Sequence, residues 1–270
     1  TELCDTTVAV FRHGRIVLCS RLITFFRVDQ EWTTQILLPL LDWENQADAN
    51  AYWQGFLWSP RLYLPLLMAF KPHLLACAGH YNQLGEHSQQ FATFMTYVAL
   101  AQADGYKPEK FRAAIEVMPP EGFQSVLHAL VQALDGAGEQ REEYWINRAK
   151  PFWQNIWPKS NAFFTSKIAE TLARLVIAAR GEFPDALATV HAGLQPIQNT
   201  HYVIHLLHQS GLCKQFPTHA LSLLNAIIAE PQWVSDELGL CLTAIVQSDP
   251  LLEENRDYQR LLGVVRIKTL

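Results

Sequence analysis

The sequence predicts an all-α protein in which antiparallel helix pairs stack as a solenoid-like array, similar in kind to HEAT or TPR repeats. From Trp32 onward, apolar residues recur at helical spacing, as Leu37, Leu40 and Leu41 show. Prolines and glycines divide this pattern into segments joined by short links, which place consecutive helices antiparallel. A weak internal repeat in the C-terminal third predicts that the helix pairs stack on one another.

The first 31 residues are the only part of the chain with a β-like pattern. β-branched and aromatic residues lie on both sides of the dipeptide His13-Gly14. A short β-hairpin through this dipeptide is one interpretation. The start of a helix, or a loosely held linker, is the other, and the pattern favours neither. We therefore assign residues 1–31 as an N-terminal linker or hairpin segment.

Residues 32–160 are predicted to form a helical subdomain. Proline marks several of its boundaries, and Ser59-Pro60 suits the N-cap and first turn of a helix. From this dipeptide onward, helices are expected at about 60–70, 72–84, 87–103, 108–117, 120–135 and 138–154.

Residues 161–270 are predicted to form a helix-pair repeat subdomain. The dipeptides Phe183-Pro184 and Phe216-Pro217 stand about 33 residues apart, each between two apolar helical stretches. Proline fits the first turn of the second helix, and phenylalanine would pack at the corner. A third pair is expected over 233–262, with Ser248-Asp249-Pro250 at its corner. Stacked pairs of this period are typical of an α-solenoid.

The composition limits the classes of partner. Charged residues make up only 17% of the chain, so some helices are expected to be buried on more than one face. The net charge is −5 and no run of lysine or arginine occurs, which disfavours nucleic acid as a partner. No apolar run reaches the roughly 18–20 residues that span a bilayer, so no membrane partner is expected.

The cysteines indicate the cellular compartment, and the chain ends indicate a fragment. The five cysteines are odd in number and form no CxxC pair, which is typical of reduced thiols and predicts a cytoplasmic protein. The chain begins at Thr1 rather than at methionine and ends abruptly at Leu270. We therefore expect it to be a fragment of a longer protein.

Three histidines form the cluster most suggestive of chemistry. His201, His205 and His208 stand at i, i+4 and i+7 of one predicted helix, and Cys213 follows. Histidines at i and i+4 can bind zinc, and a metal-dependent enzyme of unfamiliar type is the alternative that they keep open. No glutamate occupies the HExxH position, so we favour histidines that line a helix–helix groove. No catalytic residue, metal or cofactor is predicted.

Aromatic residues cluster in two places, each with an arginine nearby. They form core anchors or, in the alternative that we carry forward, a binding groove for a protein partner, where tryptophan and tyrosine are enriched. The candidate binding residues are Trp53, Trp58, Arg61, Tyr144, Trp145, Arg148, Trp153 and Trp157.

Several strings of the sequence match one bacterial family. They are FLWSPRLY at 56–63, GEQREEYW at 138–145, IWPKS at 156–160, and HYV at 201–203 with Leu212-Cys213 and Phe216-Pro217. From about residue 32 to 262 the chain resembles the uncharacterised helical region found C-terminal to sirtuin-like (SIR2) domains in large bacterial proteins. Those proteins look like phage-defence effectors that deplete NAD.

This resemblance implies a non-catalytic module. The family assigns no catalytic residues to this region, and a sirtuin-like domain needs a βαβ pattern and a glycine-rich loop that this chain lacks. Any NAD hydrolase activity would therefore lie in an upstream effector domain. The chain itself would be a recognition, regulatory or oligomerisation module that binds a phage trigger protein or a second copy of itself. A purely structural spacer is a further alternative.

Overall fold

The computed structural model describes residues 2–44, 47–102, 105–160, 165–229 and 235–267. Over these ranges the chain is helical and contains no β-strand, which confirms the all-α class. None of the helices in them is long and apolar enough to cross a lipid bilayer.

The chain divides into two compact units. The first comprises Thr1–Ala129 and Asn155–Pro158, and the second comprises Leu130–Gln154 and Lys159–Leu270. The boundary falls within the helix Pro120–Gly136. The three segments expected from the sequence, 1–31, 32–160 and 161–270, remain a prediction about the organisation of the chain.

The first unit is a succession of α-helices. A π-helical turn at Thr33–Leu37 and 3-10 stretches at Leu38–Leu41 and Ala78–His87 connect some of them. The helices are α1 (Arg12–Ser20), α2 (Leu22–Val28), α3 (Gln30–Trp32), α4 (Ala49–Leu57), α5 (Leu64–Cys77), α6 (Ser88–Leu100), α7 (Pro108–Glu116) and α8 (Pro120–Gly136).

The hairpin considered for the N-terminal residues is wrong, because α1 and α2 occupy that part of the chain. The buried residues Arg15, Cys19, Leu22 and Phe26 follow one another at steps of three and four, which is the spacing of one helix face. An arginine at the head of this face hid the pattern, since arginine is rarely fully buried.

Helix α1 packs closely across α4 at Gly55. A Cβ atom at this position would lie 2.5 Å from the backbone oxygen of Ile16. The helices can therefore approach this closely only because residue 55 has no side chain.

Helix α5 differs from its prediction in start and in length. It begins at Leu64, with Pro65 in its first turn, so Ser59-Pro60 belongs to the preceding loop. It then runs through Pro72, where two helices were expected to meet. Leu66, Phe70 and Leu74 are buried on both sides of this proline, and their packing favours a continuous helix despite the lost hydrogen bond.

An aromatic cluster fills the core of the first unit around Trp53. Its ring centroid lies 5.9 Å from Phe56, 5.2 Å from Phe70 and 5.9 Å from Phe91. Phe94 joins the cluster at 5.3 Å from Phe56. Rings of this size each bury roughly 150–250 Å² of surface, so the cluster is a major part of the stabilisation of this unit.

The second unit begins at Leu130, inside α8. A π-helical turn at Trp145–Ala149 connects its first two short helices, and the second of these, α10, ends at Asn155. The helices from this point are α9 (Arg141–Tyr144), α10 (Lys150–Asn155), α11 (Ser166–Ala178), α12 (Phe183–Val190), α13 (His201–Ser210), α14 (Leu212–Gln215), α15 (Pro217–Ile227), α16 (Glu237–Ser248) and α17 (Arg256–Ile267).

The helices of the second unit contact one another in two series. Helix α11 contacts α13, which contacts α16, and helix α12 contacts α15, which contacts α17. Phe183 is the first residue of α12, and Phe216 directly precedes α15. Their rings stack, with centroids 6.1 Å apart and an angle of 19° between the ring planes. At the corner expected after α16, the Asp249 side chain accepts a hydrogen bond from the backbone N–H of Leu251.

Candidate protein-interaction groove

A groove of about 670 Å³ lies in the first unit between residues 60–62 and the N-terminal half of α6. Its size lies within the range of pockets that enclose a ligand or several side chains of a partner. The lining residues are Pro60, Leu62, Glu86, His87, Gln89, Gln90, Thr93, Phe94 and Tyr97.

Trp58 lies beside this groove, directly after the last residue of α4. Its backbone N–H donates a hydrogen bond to the carbonyl of Gln54, so the residue continues the helical path. The side chain is 75% exposed, and its ring meets the groove-lining His87 edge-on, with centroids 6.1 Å apart. An indole held at the surface in this way is typical of an interaction site rather than of a core.

The start of α6 fixes the opposite wall of the groove. Gly85 has a φ of +59°, a left-handed conformation that glycine adopts without strain, and this turns the chain into α6. The Ser88 hydroxyl then donates to the carbonyl oxygens of Gly85 and Tyr81 over 2.7 and 2.9 Å. His87 is hydrogen-bonded to Gln90 one turn further along. These bonds hold the histidine in place beside Trp58.

Apolar side chains form the floor of the groove and continue beyond it. Phe94 is only 4% exposed and Tyr97 is half-buried, whereas Leu62 is 46% exposed at the edge. Leu64 and Met68, in the first turns of α5, are about half exposed as well. We call Trp58, Leu62, Leu64 and Met68 the Trp58 segment. Its exposed apolar area marks this part of the chain for contact with another molecule.

The candidate binding residues of the first unit have different positions. Arg61 is exposed and lines a second cavity, which has Leu62 in common with the groove. Trp53 is fully buried, and its indole N–H donates to the carbonyl of Leu41 over 2.9 Å. Trp157 is 1% exposed and packs against Phe123. The structure thus brings Trp58 and Arg61 to one surface loop and places the other two rings in the core.

The remaining candidates lie in the second unit. Trp145 is fully buried, and its indole N–H donates to Asp185 over 2.8 Å. Trp153 is partly buried and donates to the carbonyl of Thr189 over 3.1 Å. Tyr144 and Arg148 are half-buried on the same turns. The two indoles are therefore held by acceptors of their own unit.

Asp185 forms an ion pair beneath Trp145. Lys150 Nζ donates to the second carboxylate oxygen of Asp185 over 2.8 Å. Burial by itself would raise the pKa of Asp185, but the hydrogen bonds from Lys150 and Trp145 together lower it below the usual value. The carboxylate therefore stays ionised at neutral pH and fixes the indole in its position.

The three histidines of α13 do not converge on one point. His205 Nδ1 is hydrogen-bonded to Glu237 of α16 over 2.9 Å, while His201 is exposed and His208 is half-buried. Within the described ranges, no group of three or more histidine, cysteine, aspartate or glutamate side chains could hold a metal ion. A hydrogen bond with Cys213, together with burial, raises the pKa of the Cys241 thiol.

The residues of α6 that line the groove were not predicted from the sequence. A pattern was present, because Gln90, Phe94 and Tyr97 stand at i, i+4 and i+7 and so share one helix face. His87 stands at the turn before α6, and only the fold shows that this turn lies beside Trp58. Comparison with protein-family models, curated proteins and solved structures gives no match for this chain.

Proposed function

We propose that this chain is a non-catalytic recognition module that docks a partner protein in the groove beside Trp58. The observation that carries the proposal is the 75% exposed indole of Trp58 at the edge of a cavity of about 670 Å³. Tryptophan is enriched among the few residues that supply most of the binding energy of protein interfaces. A partner that covers the indole would also remove the exposed side chains of Leu62 and Leu64 from water.

The lining of the groove indicates the chemistry of the partner. Its charged side chains are limited to Glu86, and its other polar groups are amides, a hydroxyl, a phenol and an imidazole. An apolar or aromatic segment of a partner protein suits this lining, because it loses little hydration there. A strongly acidic segment does not suit it, since Glu86 would repel it. We therefore assign the groove to an uncharged, apolar protein segment.

We also propose that the second unit is a solenoid-like array of helix pairs. The two series of contacts, α11–α13–α16 and α12–α15–α17, support it, as do the stacked rings of Phe183 and Phe216. In such an array each pair is stabilised mainly by its neighbours. Hydrogen exchange on a Leu261→Ala variant tests this: amides of α16 and α17 should lose protection, while those of α11 keep it. Equal loss throughout the unit would contradict the array.

The proposed context is a larger bacterial anti-phage protein. The strings that resemble the SIR2-associated helical region include FLWSPRLY at 56–63, which contains both Trp58 and Leu62. In this proposal, an upstream domain depletes NAD in the cytoplasm, and binding of a phage trigger protein in the groove changes the state of that domain. A second copy of the chain is the other occupant that the test below distinguishes.

The experiment compares the wild-type chain with Trp58→Ala and a matched control, Leu251→Ala. Leu251 is 86% exposed in the second unit, so its removal deletes a similar kind of exposed side chain away from the groove. Light scattering over a range of concentrations measures self-association. A two-hybrid screen of phage open reading frames measures binding of a trigger protein, and each positive pair is then titrated with purified proteins.

We expect a partner that binds Trp58→Ala at least about tenfold more weakly than it binds the wild type. The tryptophans that dominate an interface commonly contribute about 2 kcal/mol to binding. Leu251→Ala should bind as the wild type does. If self-association, rather than phage-protein binding, is lost in Trp58→Ala, the occupant is a second copy. A chain that stays monomeric and finds no Trp58-dependent partner would contradict the proposal.

A further inference from the structure

The second cavity of the first unit has an unusual charge. It encloses about 250 Å³ between the junction of α1 and α2 and the loop that precedes α5. Arg21, Arg27 and Arg61 line it, and neither aspartate nor glutamate does. Three arginines thus line one cavity that has no carboxylate in its wall.

These arginines also have no counter-ion elsewhere in the described part of the chain. Arg12, in the same unit, forms an ion pair with Asp48 at 2.9 Å, but none of the three cavity arginines forms one within the described ranges. Arg27 lies over the ring of Tyr63, with its guanidinium carbon 4.6 Å from the ring centroid. This contact orients the guanidinium group but does not neutralise its charge.

Another arginine-lined cavity, in the second unit, provides a contrast. Arg141, Arg174 and Arg180 line a space of about 140 Å³, and Asp135 lines it with them. Arg141 already pairs with Asp135 at 3.7 Å and donates to its backbone carbonyl. That cavity therefore contains a counter-ion from the chain itself, whereas the cavity of the first unit does not.

Hydroxyl groups complete the lining of the first-unit cavity. Ser20, Thr24, Ser59 and Tyr63 contribute them. The Ser20 hydroxyl donates to the carbonyl of Val17 over 2.7 Å, but the hydroxyls of Thr24, Ser59 and Tyr63 can donate a hydrogen bond to an anionic oxygen. Arginine binds phosphate through two parallel hydrogen bonds, and its charge does not depend on pH in the physiological range. At roughly 30 Å³ per water molecule, the cavity has the volume of about eight waters, which is enough for one or two phosphate groups.

We infer that this cavity binds the phosphate moiety of a soluble small molecule that carries two or more negative charges. In this proposal Arg21 and Arg61 bind its oxygens, and Arg27, which lies over the ring of Tyr63, adds a third positive charge. This cavity is separate from the groove beside Trp58, although Leu62 lines both.

Isothermal titration of the purified chain with inorganic pyrophosphate tests the inference. The variants are Arg21→Gln, Arg61→Gln and the double variant, and Arg256→Gln is the matched control. Arg256 is an exposed arginine at the start of α17, in the second unit. All titrations are made at one ionic strength, set with potassium chloride, because screening weakens any surface attraction. Thermal unfolding of each variant confirms that it is folded.

We expect saturable binding of one pyrophosphate per chain. Each single variant should weaken it about tenfold or more, since a charge-assisted contact to phosphate is lost, and the double variant should abolish it. Arg256→Gln and Trp58→Ala should bind as the wild type does, which separates this site from the proposed docking groove. Three results would overturn the inference: no saturable binding, equal loss in Arg256→Gln, or equally tight binding of citrate.

Discussion

The side chain of Arg15 donates a hydrogen bond from Nε to the hydroxyl of Tyr52 over 2.7 Å, and both residues are almost completely buried. Arg15 Nη1 also donates to the carbonyl oxygens of Asp5 and Val8, over 2.8 and 3.1 Å. One guanidinium group thus connects α1, α4 and the segment that precedes α1. Its burial is tolerated because these acceptors replace the water that it loses.

Replacing Arg15 by methionine should destabilise the protein by about 3 kcal/mol, because the buried Tyr52 hydroxyl and the carbonyl groups of Asp5 and Val8 lose their donor. The free energy of unfolding from urea denaturation measures this. Arg12→Met is the control, since its ion pair with Asp48 has both side chains 38% exposed and should contribute under about 1 kcal/mol. Equal losses in the two variants would show that Arg15 does not hold the N-terminal segment.

Two Gly→Ala substitutions should have opposite effects on stability. At Gly55 the new Cβ would meet the backbone oxygen of Ile16 at 2.5 Å, so α1 and α4 must separate, at a cost of about 2 kcal/mol or more. At Gly263, inside α17, a Cβ would meet no atom within 4 Å apart from its own stretch of helix, and alanine should stabilise the helix by about 0.5–1 kcal/mol. Thermal unfolding of both variants checks the signs. A neutral Gly55→Ala would contradict the close helix packing.

The ion pair between Lys150 and Asp185 should make stability depend on pH in the acid range. Because the folded-state pKa of Asp185 is lowered, its contribution is present above its unfolded pKa of about 3.9 and is lost as pH falls through the folded value. Asp185→Asn should therefore be less stable than the wild type at pH 7 and equally stable at the acid end. The difference at pH 7 should stay under about 1 kcal/mol, since the Asp185 side chain is 38% exposed.

Urea denaturation of wild type and Asp185→Asn at a series of pH values measures this difference. Lys150→Met removes the same ion pair, so it should also be less stable than the wild type above the acid range. A difference that is constant over the whole series would mean that the carboxylate charge does not stabilise the fold.

The five cysteines should differ sharply in reactivity with a thiol reagent. Cys4 is half-buried, whereas Cys19, Cys77, Cys213 and Cys241 are at most 2% exposed. Burial also raises the pKa of Cys19 to about 12, so little reactive thiolate forms there. In native buffer we expect at most one thiol to react, and all five in denaturant. A Cys4→Ser variant with a fast-reacting native thiol would contradict this burial.

Local sequence signals predicted most of the helices, because they depend on residues close together in the chain. Pro108 and Pro120 begin α7 and α8 as expected, since proline suits the first turn of a helix. The corner phenylalanines Phe183 and Phe216 were recognised from their spacing alone. The sequence left the N-terminal segment undecided between a hairpin and a helix or linker, because the face that its helices bury begins with Arg15, and only contact with α4 makes an arginine suitable there.

The composition of the binding groove depended on tertiary structure more than the positions of the helices did. Trp53 and Trp58 are five residues apart, which turns them about 140° from each other around a helix, and the sequence did not show which of them lies in the core. Packing of α5 and α6 against one side of α4 buries Trp53 among phenylalanines and leaves Trp58 exposed beside His87. The sequence by itself determined the helical class and the aromatic and arginine side chains available for binding. Which of them face water, and which meet in one cavity, was decided by contacts between segments far apart in the chain, because burial depends on what packs against a residue.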